Sequence, residues 1–282
     1  MILPTPAAPF EWVDAAGGQG LVCRPLAAIA THVFTTWAWL PGAGRTGGGV
    51  PDRERGWEHV ARALGVAPAD LLRARQVHGV TVSIGRTERG VRSEADILIA
   101  CDEALAVAVQ VADCVPLLMA DPRTGAVAAV HAGWRGLAAR APGAAVRALA
   151  AEYDSRPDDL VVAFGPSIGA CCYEVGADVR DQFAASGFPA AELDRWFLER
   201  PSGSLMNPHM PGIASEGREG RWYFDGWAAV RAELEEAGVK PSQTFGPGLC
   251  TASHPGAFCS FRRDGAGAGR MAAAIRFAPL HP

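Results

Sequence analysis

The sequence predicts a mixed α/β fold, and two observations carry that expectation. Short apolar runs recur at residues 30–36, 97–100, 104–111, 126–130 and 160–164 and read as strands. Between and after them, residues 53–64, 137–153, 175–183 and 221–237 read as helices. The 282 residues, 49% of them hydrophobic, suffice for one large core or two small ones.

Near the N-terminus, Phe10-Glu11-Trp12-Val13 and Leu21-Val22-Cys23-Arg24 read as a hairpin around Gly17, Gly18 and Gly20. The strand at 30–36 leads into a Gly/Pro-rich segment with Trp37 and Trp39, read as an exposed surface loop or a substrate lid. In the helix at 53–64, Trp57, Val60, Ala61 and Leu64 share one face, and Gly65 supplies the stop. The helix at 137–153 is expected to break near Pro142-Gly143. Residues 203–220 are polar and rich in proline and glycine, and read as an excursion between elements. Residues 258–261 alternate like a strand, and 270–277 is the closing strand.

Composition excludes several classes of function. A net charge of −4 gives no reason to expect a nucleic-acid partner. No apolar stretch reaches the roughly 18–20 residues that span a bilayer. The first residues have no basic region followed by a continuous apolar one, so they do not read as a secretion signal. Seven cysteines, two of them adjacent, do not make a secreted disulfide pattern, so a reducing cytoplasm is expected.

The chemistry concentrates between residues 104 and 136. The apolar run at 104–111 leads into Asp113-Cys114, and the run at 126–130 leads into His131. Asp121-Pro122-Arg123-Thr124-Gly125 between them has turn chemistry. The expected geometry is two adjacent strands whose C-terminal ends bring Cys114 and His131 together. Three readings follow. Cys114 and His131, with His78 nearby, suit a zinc site that keeps a fourth position for water, with Asp113 orienting a ligand or taking a proton. Alternatively, Cys114 is a nucleophile with His131 or His78 as its base. In the third, Cys114 is a buried core thiol.

The second half adds binding candidates. Gly165 and Gly169 allow sharp turns or close approach to a ligand. Tyr173 can stack on a planar ring or pack in the core. Cys171-Cys172 reads as two small buried residues, with a redox or metal element as the alternative. Arg262, Arg263 and Arg270 form a basic cluster whose planar guanidinium groups suit phosphate or carboxylate.

Six segments in order carry a resemblance. They are Gln76-Val77-His78-Gly79, Ala112-Asp113-Cys114-Val115-Pro116, His131-Ala132-Gly133-Trp134-Arg135-Gly136, Gly165-Pro166-Ser167-Ile168, Cys171-Cys172-Tyr173-Glu174-Val175 and Ser260-Phe261-Arg262-Arg263-Asp264-Gly265. Together, over residues 33–277, they resemble the YfiH family, also labelled the multicopper polyphenol oxidase or laccase-domain family and the peptidoglycan editing factor family. The resemblance implies one compact α/β domain over residues 1–282, with layered mixed sheets flanked by helices in an α-β-β-α order. It implies Zn2+ on His78, Cys114 and His131. It also implies phosphorolysis of adenosine, inosine and methylthioadenosine, deamination of adenosine, and a link to wrongly built cell-wall precursors. The expected partners are a purine nucleoside and phosphate, taken by a cytoplasmic monomer. Asp113, Cys114 and Arg135 are the expected catalytic residues. Arg135, Arg262 or Arg263 would hold phosphate, and Tyr173 and Phe261 would contact the ring. The laccase label fits poorly, because several copper ions need many histidines and the chain has seven.

The N-terminal part departs from the family pattern. Trp37 follows Phe34-Thr35-Thr36 where the family has arginine, and Gly48-Gly49-Val50-Pro51 comes late. A Ser-Leu-Asn piece is missing, and Gly56-Trp57 stands where Asn-Arg is expected. Near the other end, Ala266-Gly267-Ala268-Gly269-Arg270 varies a Thr-Gly-Arg ending. Phosphorolysis is the reaction these changes bear on. A cysteine hydrolase acting on an amide such as a cell-wall precursor, and a binding protein that keeps the fold without turnover, are the alternative functions.

Overall fold

Residues of the central strands are apolar on both sides of the backbone, and the computed structural model shows why. It describes residues 3–39, 50–85, 94–213 and 216–278, with backbone only at 50–53. Two six-stranded mixed sheets lie face to face. The first runs in the order Phe10–Ala15, Gly18–Cys23, Ala30–Thr35, Met271–Phe277, Ala106–Val111, Leu71–Leu72. The second runs Thr244–Phe245, Val161–Phe164, Val115–Ala120, Val127–Ala132, Ile97–Ala100, Val82–Ile84. A small third sheet pairs Glu174–Gly176 and Phe197–Leu198 with Arg221–Phe224.

Successive side chains of a strand point to opposite faces, and each central strand divides its residues between two cores. Val107, Val109 and Val111 meet Leu98, Leu118, Val127 and Ala129 between the sheets. Ala106 and Ala108 face the other way, onto Val60 and Ala61 of the helix Val50–Ala63 and Leu64 just past its end. Ile97, Ile99, Leu117, Met119 and Val130 pack outward under the helices Ala141–Tyr153, Ala177–Ala185 and Gly226–Glu236. The layers therefore run helix, sheet, sheet, helix. No described helix is long and apolar enough to cross a membrane.

Several expectations are revised. The run ending at Val111 and the run leading into His131 belong to different sheets, so they face each other across the core and do not pair. The strand beside Val127–Ala132 is Val115–Ala120, with Val115 opposite Ala132 and Pro116 opposite His131. Asp113, at φ 87°, turns the chain from one sheet to the other. Pro116 therefore sits inside a strand. Its carbonyl accepts from Gly165 N at 2.9 Å, just past the end of the Val161–Phe164 pairing, where no ladder bond needs the N–H that proline lacks.

Residues 221–224 form a strand, and the helix begins at Gly226 because the Asp225 carboxylate caps it, accepting from Trp227 N and Ala228 N at 3.1 and 3.0 Å. Residues 258–260 are irregular and lead into the short helix Phe261–Asp264, capped by Ser260. The break near Pro142 falls at Ala139-Arg140, with Arg140 at φ 60°, and Pro142 occupies the first helical turn where its missing N–H costs nothing. Trp39 is fully buried rather than exposed. Its indole N–H donates to Gln19 O at 2.8 Å, and the missing side chain of Gly17 makes its room, since a Cβ there would meet the ring at 2.5 Å. The segment 40–49, which includes most of the expected loop or lid, lies outside the described residues.

Gly165 serves packing between the sheets. A Cβ there would lie 2.2 Å from the Phe34 ring, which is itself 2% exposed and cannot withdraw. Gly165→Ala is expected to destabilise the fold by roughly 1–3 kcal/mol, read as a lower denaturant midpoint with unchanged slope.

Glu233, on the inner face of Gly226–Glu236, is 2% exposed, and neither carboxylate oxygen has a hydrogen-bond partner among the described residues. Burial pushes its carboxyl well above the ordinary carboxylate range, opposed by Arg140 and aided by Glu236 and Glu192. The unfolded chain therefore releases this proton at lower pH than the folded one. Stability is fully retained below the unfolded value and falls as pH rises from there through the raised folded value. Glu233→Gln is expected to raise Tm at about pH 8 and to leave it unchanged at about pH 4. An equal shift at both would refute this account.

Candidate functional site

The site forms where the two sheets exchange chain. Cys114 stands at the head of Val115–Ala120, and His131 is the penultimate residue of the neighbouring strand Val127–Ala132. His78 comes from the irregular segment before Val82–Ile84. One ligand-capable atom from each lies within 4.8 Å of the others. The His78 and His131 rings meet edge to face, with centroids 4.7 Å apart. His131 is buried, Cys114 partly so, and His78 exposed, so the group opens toward solvent on the His78 side.

Asp96 holds this arrangement. It is fully buried at the head of Ile97–Ala100. Its Oδ1 accepts from His131 Nδ1 at 2.7 Å and from His78 N at 2.9 Å. Its Oδ2 accepts from Gly79 N at 2.7 Å and from Val77 N at 3.2 Å. One carboxylate thus fixes the loop that carries His78, which sits at φ 63°, and orients the His131 ring. A carboxylate only accepts, so Nδ1 of His131 carries the proton and Nε2 is turned to the cluster.

The electrostatics follow. Burial favours an uncharged Cys114, but the His131 and His78 imidazoles outweigh it and bring the thiol down to about 7. Burial opposes charge on His131 as well, yet Asp96 and then Cys114 raise it to about 9. Burial works against the Asp96 charge too, and the bonds from His131 and the Gly79 amide prevail, holding its carboxyl below the usual range. Without metal, these shifts favour a thiolate–imidazolium pair backed by a carboxylate.

Two imidazoles and a thiolate are a zinc-type donor set, and the histidine backed by a carboxylate is the usual second layer of such sites. Gly133 supplies the space, since a Cβ there would be 3.0 Å from both Cys114 Sγ and His78 Cδ2. No fourth His, Cys, Asp or Glu joins the group among the described residues, so a bound ion would keep a position facing the cavity.

That cavity has a volume of about 550 Å³ and is lined by all three donors together with Asp113, Arg135, Tyr173, Phe261 and Arg262. Phe261 is 54% exposed at its wall. Arg135 lies 4.3 Å over the Trp134 ring and is exposed. Arg262 lies 5.1 Å over the Tyr173 ring and donates from NH1 to Glu174 O at 2.6 Å. Burial, with Cys114 next, pushes the Tyr173 phenol upward. Asp113 is engaged at both oxygens, accepting from Thr251 Oγ1 and from Arg262 N, each at 2.6 Å. Burial pushes its carboxyl up against those bonds.

Arg263 is not among the lining residues. Its guanidinium donates to the carbonyls of Thr251, Ala252 and Phe258 and to the Asp264 carboxylate, tying down the C-terminal loop. Arg270, the third member of the basic cluster, lines the cavity, and so does Gln76, to which the sequence assigns no site role. Asp96 was the larger omission. Its signal was an acidic residue directly ahead of four apolar residues, a place where burial demands partners.

The chain resembles known proteins over most of its length. The purine nucleoside phosphorylase of Deinococcus radiodurans is 35% identical over 268 residues, 92% of this chain and 94% of that protein. The purine nucleoside phosphorylase of Streptomyces coelicolor is 36% identical over 209 residues, 73% of this chain and 75% of that protein. The hypothetical protein YfiH of Bacillus licheniformis superposes with a TM-score of 0.80 at 26% identity, covering 96% of this chain and all of that one. YlmD of Geobacillus stearothermophilus superposes with a TM-score of 0.74 at 27% identity, covering 92% and 96% of the two chains. The family model described as multi-copper polyphenol oxidoreductase laccase matches residues 52–278, which contain every donor of the site, and the chain belongs to that family, the one that includes YfiH.

Proposed function

We propose that residues 1–282 form one catalytic unit, a purine nucleoside phosphorylase that holds Zn2+ on His78, Cys114 and His131. Its substrates are adenosine, inosine and methylthioadenosine with phosphate, and deamination of adenosine is a second reaction in the same cavity. The observation that carries this reading is the three-donor group opening into a cavity walled by both aromatic rings and guanidinium groups. The name carried by relatives that match over nearly the whole chain supports it.

When bound, the ion supplies Lewis acidity and positive charge toward an anionic or polarised oxygen. The remaining work falls to side chains. Tyr173 and Phe261 offer ring faces to a purine. Arg135 and Arg262 hold phosphate, and Arg262 is preset by its bond to Glu174 O. Asp113 anchors the Arg262 backbone and Thr251 to the turn that carries Cys114. Its proton-handling role requires one of those bonds to be released.

Metal analysis with a nucleoside panel, with and without phosphate, tests the proposal. Ribose 1-phosphate should form only with phosphate, and ammonia should appear from adenosine. Full turnover by metal-free protein would sink the metal-dependent reading.

The Cys114–His131–Asp96 relay supports a second reading, a cysteine hydrolase acting on an amide. Hydrolysis indifferent to chelators, with an acyl group trapped on Cys114, would favour it over the first.

A further inference from the structure

Beyond the cavity, three sulfur atoms converge beneath the surface. Cys171, Cys172 and Cys250 are all buried free thiols, and their Sγ atoms lie within 4.8 Å of one another. The first two belong to the turn after Gly169, and the third to a segment that pairs with Ser167. The polar excursion at 203–220 supplies a further wall. There Asn207 Oδ1 accepts from Cys250 N at 2.8 Å, and its amide donates to Gly248 O at 2.7 Å.

Polar groups point at the sulfurs. Gly169 N–H donates to Cys250 Sγ at 3.3 Å, and Met210 N–H donates to Cys172 Sγ at 3.2 Å. Ser253 Oγ gives its proton to Pro208 O at 2.6 Å, so its lone pairs face Cys171 and Cys172 at 3.5 Å each. The amide donors favour the thiolate at Cys250 and Cys172, while Ser253 Oγ and Pro208 O, 3.8 Å from Cys172 Sγ, can accept from thiols until an ion displaces their protons. Three small residues filling a core would need none of these contacts.

We propose that Cys171, Cys172 and Cys250 form a second metal site that binds the soft monovalent ion Cu(I) through three sulfurs. Thiolate ligands select soft ions, Cu(I) and zinc foremost. Zinc in closed structural sites takes four ligands. Among the described residues no imidazole or carboxylate joins the three sulfurs within 4.8 Å, and the nearby His254 ring is held by Asn207 Oδ1 at 3.2 Å, so the group suits trigonal Cu(I). Binding exchanges the thiol protons for the ion, with no change of oxidation state. The Met210 and Ser253 side, which is only partly buried, is the way in. The site differs in chemistry from the mixed nitrogen–sulfur group of His78, Cys114 and His131.

The test removes the first site and titrates the second. Full-length Cys114→Ala is titrated anaerobically with Cu(I) against a chromogenic Cu(I) chelator, following thiolate-to-copper charge-transfer absorption. One chelator-resistant equivalent is expected, falling to none in C114A/C250S and in C114A/C172S. Near-UV circular dichroism identifies which of the two double variants keeps the fold, and that one decides. Absence of chelator-resistant Cu(I) in C114A overturns the proposal. So does full retention in the folded double variant, and so does uptake of one equivalent of Zn2+ that excludes Cu(I).

Discussion

Asp96→Ala is expected to weaken metal binding by about 10–100-fold, the usual effect of removing a carboxylate behind a ligating histidine. The effect should extend to folding. The variant strands three backbone amides, those of Val77, His78 and Gly79, and removes the partner of a buried imidazole. Breaking a buried charged pair by deleting one partner costs on the order of 3 kcal/mol or more, so the metal-free variant should melt well below the parent. Asp96→Asn should fall between the two, because an amide oxygen can still accept from His131 while its NH2 faces amides that also donate. Competition with a chromogenic zinc chelator reads the first effect, and thermal unfolding of metal-free protein reads the second. Unchanged affinity in Asp96→Ala would mean that the ring of His131 is oriented by packing alone.

Gly133→Ala separates the site from the fold. The backbone at Gly133, φ −74° and ψ 173°, suits alanine, so no strain arises from the chain itself. The new methyl would press on Cys114 Sγ and His78 Cδ2, each at 3.0 Å. Both donors must move, and His78 has the freedom to do so because it is exposed. The expectation is a small change in Tm with a loss of about 10–100-fold in kcat/KM, since displacement of about an ångström is costly at a reacting centre. A kcat/KM near the parent value with bound metal retained would show that the cradle is looser than its geometry.

The two substitutions mark how far the sequence could be read. His78, Cys114 and His131 were legible as a group because each lies in a short distinctive segment and zinc requires just such donors. Asp96 was not, because its pairing with His131 spans 35 positions and the local signal, an acidic residue before four apolar ones, does not name the partner. Arg262 and Arg263 were indistinguishable as neighbours in a basic run. The one-turn helix Phe261–Asp264 sends the first against Tyr173 and the second into the carbonyls of the following loop. Residues 221–224 read as helix because Phe224 continues the spacing of Trp227, Ala228, Arg231 and Leu234. Their pairing with Val175 and Phe197 decided the matter.

By itself, the sequence determined which stretches would be buried strands. Apolar residues on both faces of the backbone leave water no side to occupy, as at Val127–Ala132 and Ile97–Ala100. It determined the donor types at the site as well, since imidazole and thiolate are properties of the residues. The tertiary structure decided which sheet each strand joined, which arginine faced the cavity, and which buried carboxylate held the histidines. Those outcomes depend on long-range pairing, where a backbone turn such as that at Asp113, or a missing Cβ such as that at Gly133, sets which groups can meet.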